Sequence, residues 1–397
     1  MDAAAALKSC AVFAEIGVMG QARWEKLHGL YRKKGFFKKN NFSWWRFIFT
    51  GFHAATGEAK TFFIEYGIIN PYLMPKTADK KITENVHRKI SLLDSASMQI
   101  VNSDAHILMR AGSYEKNGKN IEKIFPVGNF SVLKDNIYIS FAECILGGNK
   151  IAGSILQSRH KKTGNAASPN ISLPPSQTGS INWNLQSVEE RCYPMKINLQ
   201  KTTWTSFIKK PQLTGSINFD GDEYDVLGET AVSYIDFIRA SVFPEKWFNL
   251  ASASLQSVIS AKQLQNTFFS VRGIFNKSTI INAVIEGKKY DFSFRNPFLK
   301  YTHSENYTET ENVLHWSCST QSGIFLLDID VFCPREEMHS KTYKIPQTGK
   351  EEKKVLSILS GATGKGELKL YKKSGKTLEQ IEIANLDHVI CEYGGIE

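Results

Sequence analysis

LTGSINFDGDEYDVLGETAVSYIDFIRASVFPEKW, residues Leu213 to Trp247, is the stretch on which the fold turns. Ile217 and Phe219 alternate with polar neighbours, Asp220-Gly221 supplies a turn, and Tyr224 and Val226 resume the alternation. Alternation on both sides of a two-residue turn that tolerates positive φ is the signature of a β-hairpin. The stretch closes on Phe243-Pro244 before Trp247, a rigid turn leading into a large aromatic. A strand that runs through a fixed turn to an aromatic wall suits the holding of an apolar ligand.

Working outward, the same rhythm recurs. Phe47–Thr50 and Thr61–Tyr66 flank a turn-forming run from His53 to Lys60. Further strands are predicted at 97–101, 105–109, 129–133, 137–141 and 151–155, punctuated by Asp135-Asn136 and Gly147-Gly148-Asn149. Short strands at such intervals make an antiparallel sheet or barrel. The polar run 157–178 fits either a linker between domains or a long loop within a barrel. Gly179-Ser180-Ile181-Asn182-Trp183 is echoed by Gly215-Ser216-Ile217-Asn218-Phe219, which reads as two barrel strands sharing one inside/outside pattern. In the second half, 279–285 and 290–294 flank Glu286-Gly287 as a hairpin, and 323–332 is a further strand. A loop is predicted at 333–354, with late strands at 367–371 and 380–383. Helical periodicity is confined to residues 3–32, where Leu7, Cys10, Ala14, Val18, Trp24, Leu27 and Tyr31 draw one apolar stripe. The expected class is all-β with an N-terminal amphipathic helix.

A chain of 397 residues is too long for one ordinary core and implies at least two domains. Its 42% hydrophobic and 22% charged content is that of a globular protein, and 25 Phe residues bias it towards strands and aromatic-lined interiors. Six scattered cysteines with no paired spacing read as reduced, buried thiols, and neither they nor the histidines are clustered as metal ligands. No apolar run approaches the ~20 residues of a spanning helix. Lys8 and Glu15 interrupt the N-terminal apolar stretch, so a cytoplasmic protein is expected. Most of the formal net charge of +10 sits in Arg23, Lys26, Arg32, Lys33, Lys34, Lys38, Lys39 and Arg46, opposed in that stretch by Glu25 alone. Aromatics interleave these cations. Three readings fit: a solvated helix end and loop, a patch for anionic lipid headgroups, or a nucleic-acid surface. No nucleic-acid-reading module accompanies the patch, so nucleic acid is not an expected partner.

Taken in order, several segments carry a family resemblance. Ser43-Trp44-Trp45-Arg46-Phe47, Glu65-Tyr66-Gly67-Ile68, the Leu213–Trp247 stretch, Ile285 to Phe292 and the closing 366–397 together resemble the tocopherol cyclase-like superfamily, which includes carotenoid hydratase-like proteins. The resemblance implies two lipocalin-like β-barrels side by side. It divides the chain into an N-terminal helix and basic segment (1–40), a first barrel (41–228) and a second (229–397). It also implies a hydrophobic ligand, of isoprenoid or other lipid type, near the domain junction. The chemistry implied is cofactor-free and acid-driven: cyclisation, isomerisation or hydration. The sequence departs from the family where an acidic-basic-polar run ends in Trp-Gly, reading Asp236-Phe237-Ile238-Arg239-Ala240 instead. Lys201 to Thr205 stands where relatives with cyclase activity carry an acid, an aromatic and a histidine. Fold therefore transfers better than reaction.

The residues singled out follow from this. Asp236 is the candidate general acid, with Tyr234 and Arg239 beside it; the competing reading is a strand-end carboxylate paired with Arg239. Trp44, Trp45 and Tyr66 are candidate ligand contacts at the first barrel's mouth, where His53 falls in a hairpin loop. Trp247 and Phe248 either wall a ligand cavity or belong to the core. Asp328 and Asp330 share one face of an otherwise apolar strand and read as solvated. The alternative to an enzyme is a lipid carrier or sensor that meets anionic membranes through Arg32, Lys33, Lys34, Lys38 and Lys39. Nothing in the sequence fixes an oligomeric state.

Overall fold

A computed structural model describes residues 42–69, 106–126, 130–133, 138–141, 144–147, 150–158, 160–161, 171–188, 194–199, 202–207, 212–228, 233–240, 246–275, 278–292, 301–345 and 354–396. The N-terminal helix, the basic residues 32–39, Phe243-Pro244 and the strand predicted at 97–101 lie outside these.

The chain opens with β1 (Phe42–His53), β2 (Ala59–Ile69), β3 (His106–Tyr114) and β4 (Asn120–Pro126). Four shorter strands follow: β5 (Phe130–Leu133), β6 (Tyr138–Phe141), β7 (Cys144–Gly147) and β8 (Lys150–Gln157). β9 (His160–Lys161) and β10 (Ile171–Ser172) form a small ladder of their own. Then come β11 (Gly179–Val188), β12 (Pro194–Leu199), β13 (Thr202–Phe207), β14 (Gln212–Phe219), β15 (Asp222–Val226) and β16 (Ser233–Ala240). Apart from the β9–β10 ladder, all of these join one antiparallel sheet. It branches at β1, which pairs with β16 along Phe42–Phe49 and with β15 at Phe52 and His53.

The second sheet begins with β17 (Lys246–Ser252), β18 (Ser254–Ser257), β19 (Phe268–Ile274), β20 (Ser278–Ile285) and β21 (Lys288–Asp291). It continues through β22 (Tyr301–Glu309), β23 (Val313–Ser322), β24 (Phe325–Pro334) and β25 (His339–Ile345). Two long strands, β26 (Lys354–Ser374) and β27 (Thr377–Ile396), complete it. Each sheet curls round its own apolar cluster, one built on Phe47, Phe62, Ile107 and Leu185, the other on Leu250, Val271, Ile329 and Leu370. The chain is thus all-β, two curled antiparallel half-barrels in series. No described helix is long and apolar enough to cross a membrane.

Both predicted hairpins form with the expected turns, at Asp220-Gly221 and Glu286-Gly287. The echoed pentapeptides are neighbouring strands in one sheet, with Ile181 opposite Phe219 and Trp183 opposite Ile217, all four facing inward. Of the two readings of 157–178, the connection within one sheet is the one observed, since β11 rejoins β8 after it. Two expectations need correcting. The region 333–354 is not all loop: β25 lies in it, because alternate residues Lys341 and Tyr343 are buried against the first sheet while Thr342 is exposed. The first sheet also runs past the 228/229 division to Ala240, since β16 pairs with β1.

The two half-barrels meet face to face. On β1, Trp45, Phe47 and Phe49 face the first core, whereas Trp44 and Ile48 pack with residues of the second sheet. Both faces of the strand are covered, which is why SWWRFIFT reads as a near-continuous apolar run rather than as an alternation. Opposite it, Trp247 and Ala251 of β17 and Ile390 of β27 supply the second wall. Gly394 of β27 lies under the Trp247 ring, with no room for a methyl. Gly394→Ala should therefore cost about 1–3 kcal/mol through overpacking, measured as a lowered urea midpoint.

Candidate functional site

Sheet-on-sheet packing would ordinarily be apolar. This seam instead contains three cations, Arg46, Arg272 and Lys341, and three carboxylates, Glu65, Asp236 and Glu392, none more than 2% exposed. They form one network. Arg46 Nε donates to Asp236 Oδ1 at 3.1 Å and Nη2 to Oδ2 at 2.5 Å. On its other side Arg46 meets Glu392, through Nη1 to Oε1 and through Nη2 to Oε2 at 2.9 Å. Asn249 Nδ2 donates to Glu392 Oε2 at 2.9 Å, and Arg272 Nε donates to Asn249 Oδ1 at 2.8 Å. Arg272 Nη2 donates to the Tyr234 hydroxyl at 2.6 Å, which in turn donates to Asp236 Oδ2 at 3.1 Å. That closes a ring.

A second arm leaves Glu392. Ser360 Oγ donates to Glu392 Oε1 at 3.0 Å and so accepts from Tyr114 OH, 2.7 Å away. Lys341 Nζ donates to Tyr114 OH at 2.7 Å and to Glu65 Oε1 at 2.6 Å, while Tyr343 OH donates to Glu65 Oε2 at 3.1 Å. Hydroxyls relay donors from cations to carboxylates throughout. Further links join the two halves, among them Arg110 Nη2 to the Thr342 carbonyl at 2.6 Å and His339 Nε2 to the Ser113 carbonyl at 2.8 Å.

Burial sets the electrostatics. It lifts the Asp236 carboxyl above its usual range against the downward pull of Arg46. At Glu392 burial also pushes upward, but Arg46 and the Asn249 hydrogen bond outweigh it and hold the group low. Lys341 is pushed down to about 8 by burial, with Glu65 opposing. Burial likewise depresses His339 to about 4.

The seam gathers Trp44, Tyr234, Asp236 and Trp247, all of them buried. Asp236 pairs with Arg46. The Arg239 side chain lies outside the described residues; its backbone pairs with Ser43 and Thr203. Trp45 and Tyr66 face the first core, where Trp183 Nε1 donates to Tyr66 OH at 3.2 Å. His53 ends β1, and its Nδ1 accepts the backbone N–H groups of Ala55 and Thr56 at 3.2 and 3.1 Å, capping the turn. Phe248 faces the second core.

Phe248 leads to a feature that sequence reasoning missed. At one end of the second half-barrel it packs on Phe275, with ring centroids 4.7 Å apart. Phe275 stands edge-on to Tyr307 and Tyr393, and those two stack at 5.1 Å. Trp316 completes the layer, 5.4 Å from Tyr307. Phe275, Tyr307 and Tyr393 face the core but remain partly exposed. Behind Tyr307 on β22, Glu305 Oε2 accepts from Thr279 Oγ1 at 2.7 Å and lies 3.1 Å from His303 Nε2. β21 and β22 are the two ends of the sheet order, and the Thr279–Glu305 bond links β20, the strand next to one end, to β22 at the other. The Cys318 thiol, opposite Glu305, is pushed up to about 12 by burial and by that carboxylate. Here a histidine–carboxylate pair adjoins an aromatic surface within reach of solvent.

A cleft of about 340 Å³ cuts the outer face of β22, β23, β24 and β26, where Ser319, Asp328, Asp330, Glu367 and Lys369 line it and Glu305 and Cys318 also contribute. Asp328 and Asp330 do share this outward face, engaged by Ser319 and His315. Among the described residues no three His, Cys, Asp or Glu side chains converge as metal ligands.

No protein-family model and no curated protein matches the chain. Two solved structures are similar in chain path. One is a Nitrosomonas europaea protein with the provisional name ATTH, at 10% identity and a TM-score of 0.43, over 90% of this chain and 93% of that one. The other is kievitone hydratase from Nectria haematococca, at 8% identity and a TM-score of 0.37, over 88% of each chain. With both scores below 0.5, the reading of the site rests on this chain's own residues.

Two expected outcomes follow from the seam. Arg46→Met leaves Asp236 and Glu392 buried without their cation and should cost about 3–5 kcal/mol in urea unfolding. Arg46→Lys, which cannot fork, should recover only part of this. His339 holds its proton less tightly folded than unfolded, so the unfolded chain protonates first as pH falls from 6.5 towards 4. Stability should fall through that window by about 3 kcal/mol. Melting temperatures across the range should show a shallower decline in His339→Gln.

Proposed function

We propose that this chain binds a hydrophobic small molecule against the aromatic layer of the second half-barrel, and that Glu305 with His303 equips the site for acid-type chemistry on it. One observation carries the reading: Phe275, Tyr307 and Tyr393 point into the barrel yet stay partly exposed, beside a carboxylate–imidazole pair. Inward-facing aromatics in a completed core would be covered. Aromatic walls with a few placed polar groups are the usual make-up of small-molecule sites.

In this reading Asp236 is a structural group. Both of its oxygens are engaged by Arg46, and Tyr234 adds a third donor, so delivering a proton from it would break the seam. Glu305 and His303 are better placed for the hydration or isomerisation that the family resemblance implies, because their neighbours are reached from solvent. An isoprenoid-type ligand would lay its chain along Phe248 and Phe275, and ring faces would favour any cationic character that develops. Cyclisation of the tocopherol type is the narrower form of the same proposal.

The test uses a neutral fluorescent hydrophobe, N-phenylnaphthylamine. Saturable one-site binding is expected, weakened about two- to tenfold by Tyr393→Ala. Tyr66→Phe, in the first core, should leave it unchanged. Binding that never saturates, or that ignores Tyr393, rejects the site.

A further inference from the structure

Trp316 poses a specific chemical question. It sits on β23 in the inward-facing row with Leu314, Cys318 and Thr320, directly opposite Tyr307. The residue is 2% exposed, and its indole Nε1 is shielded from solvent without a hydrogen-bond partner. An unmade buried donor costs about 1–3 kcal/mol, and folded proteins leave few of them. The first half-barrel shows the ordinary solution, since there Trp183 Nε1 donates to the Tyr66 hydroxyl. In the second half-barrel the equivalent bond is not made: the neighbouring Tyr307 hydroxyl donates to Glu309 Oε2 at 3.0 Å, and the indole reaches no acceptor.

Trp44 also has an unpartnered indole N–H, but it lies in the seam, where its cluster is closed by buried side chains such as Trp247, Tyr343 and Leu356. Trp316 differs in its surroundings. Its neighbour Tyr307 is partly exposed, and so are Phe275 and Tyr393 stacked beyond it. A solute lying on that layer can bring an acceptor to the indole.

Resting on the binding reading above, we infer that the ligand carries a neutral oxygen acceptor, a carbonyl, ester or ether, that takes the Trp316 Nε1–H while its apolar body covers the aromatic layer. An anionic acceptor is selected against. Glu305 is the second residue along β22 from Tyr307 and faces the same interior, so a ligand carboxylate would sit near a carboxylate in a poorly solvated space. The site thus discriminates oxygenated hydrophobes from plain hydrocarbons and from fatty-acid-like anions.

A matched set of probes tests this: acetylnaphthalene, ethylnaphthalene and naphthoate, titrated into the full-length protein. Acetylnaphthalene should bind about five- to tenfold more tightly than ethylnaphthalene, the effect of one hydrogen bond, and naphthoate more weakly than either. In Trp316→Phe the advantage of the acetyl compound should vanish. Should that variant fail to fold, the isotope-labelled indole N–H resonance of Trp316 in the unmodified protein decides. It should move downfield with acetylnaphthalene and not with ethylnaphthalene. Equal affinities for the acetyl and ethyl probes, or an indole resonance indifferent to both, overturn the inference and leave the binding site standing. Absence of saturable binding by all three removes the site and the inference together.

Discussion

Arg46 holds Asp236 with one edge of its guanidinium and Glu392 with the other. Asp236 belongs to the first sheet and Glu392 to the second, so one side chain sets how the two half-barrels face each other. Burying a charge costs several kcal/mol per ion, and in structures of this kind apolar replacements are often as stable. What a planar fork supplies that an apolar contact lacks is direction. Two curved sheets packed only through Trp44, Ile48, Ala251 and Ile390 could slide; a guanidinium fixed between two carboxylates cannot, because any shift leaves a charge uncompensated. The relays through Tyr234, Tyr114 and Ser360 extend this constraint along the seam as far as Lys341 and Glu65.

The strands that carry the network also carry the candidate site. Asn249 and Phe248 are neighbours on β17, Arg272 and Gly273 on β19, Glu392 and Tyr393 on β27. Strand alternation sends the first of each pair into the seam and the second into the second half-barrel. Gly273 is required there, since a side chain would strike Phe248 and Thr279. The aromatic layer is thus the back of a wall whose front is locked by ions. A site built on strands pinned in this way holds its geometry better than one carried on loops.

Strand rhythm and turn chemistry made the fold legible: the Asp220-Gly221 and Glu286-Gly287 hairpins and the echoed pentapeptides fall where period-two alternation puts them. Alternation failed where both faces of a strand are covered. β1 offers no polar side to read, and β25 hides its burial among Lys and Thr residues because its contacts are ionic. The seam left a fainter trace. Arg46 in SWWRFIF, Arg272 in FFSVRGIF and Glu392 in VICEYGGI are each a lone charge in an apolar run, the pattern of a buried ion whose partner is remote in sequence. Pairings that span 190 and 346 residues have no local signature. The same holds for the aromatic layer, which draws Phe248, Phe275, Tyr307, Trp316 and Tyr393 from five separate segments. Phe248 alone was singled out, through its place after the Phe-Pro turn.

On the proposed reading, the two half-barrels divide the labour in a way their interiors explain. In the first, Phe47, Phe49, Phe62, Ile64, Ile107, Met109 and Leu185 have no exposed surface, so no water-sized space adjoins them. Its buried indole at Trp183 is satisfied internally by Tyr66. Among the described residues, that core is covered on all sides. The second interior is unfinished at one end: its aromatics are partly uncovered, its carboxylate is paired with an imidazole, and its indole donor has no acceptor. An unmet donor beside a partly uncovered surface marks where an outside molecule could lower the free energy, which the closed surroundings of Trp44 in the seam do not allow. On the proposed reading the first half-barrel and the seam are the rigid frame, and the second half-barrel is the part that binds.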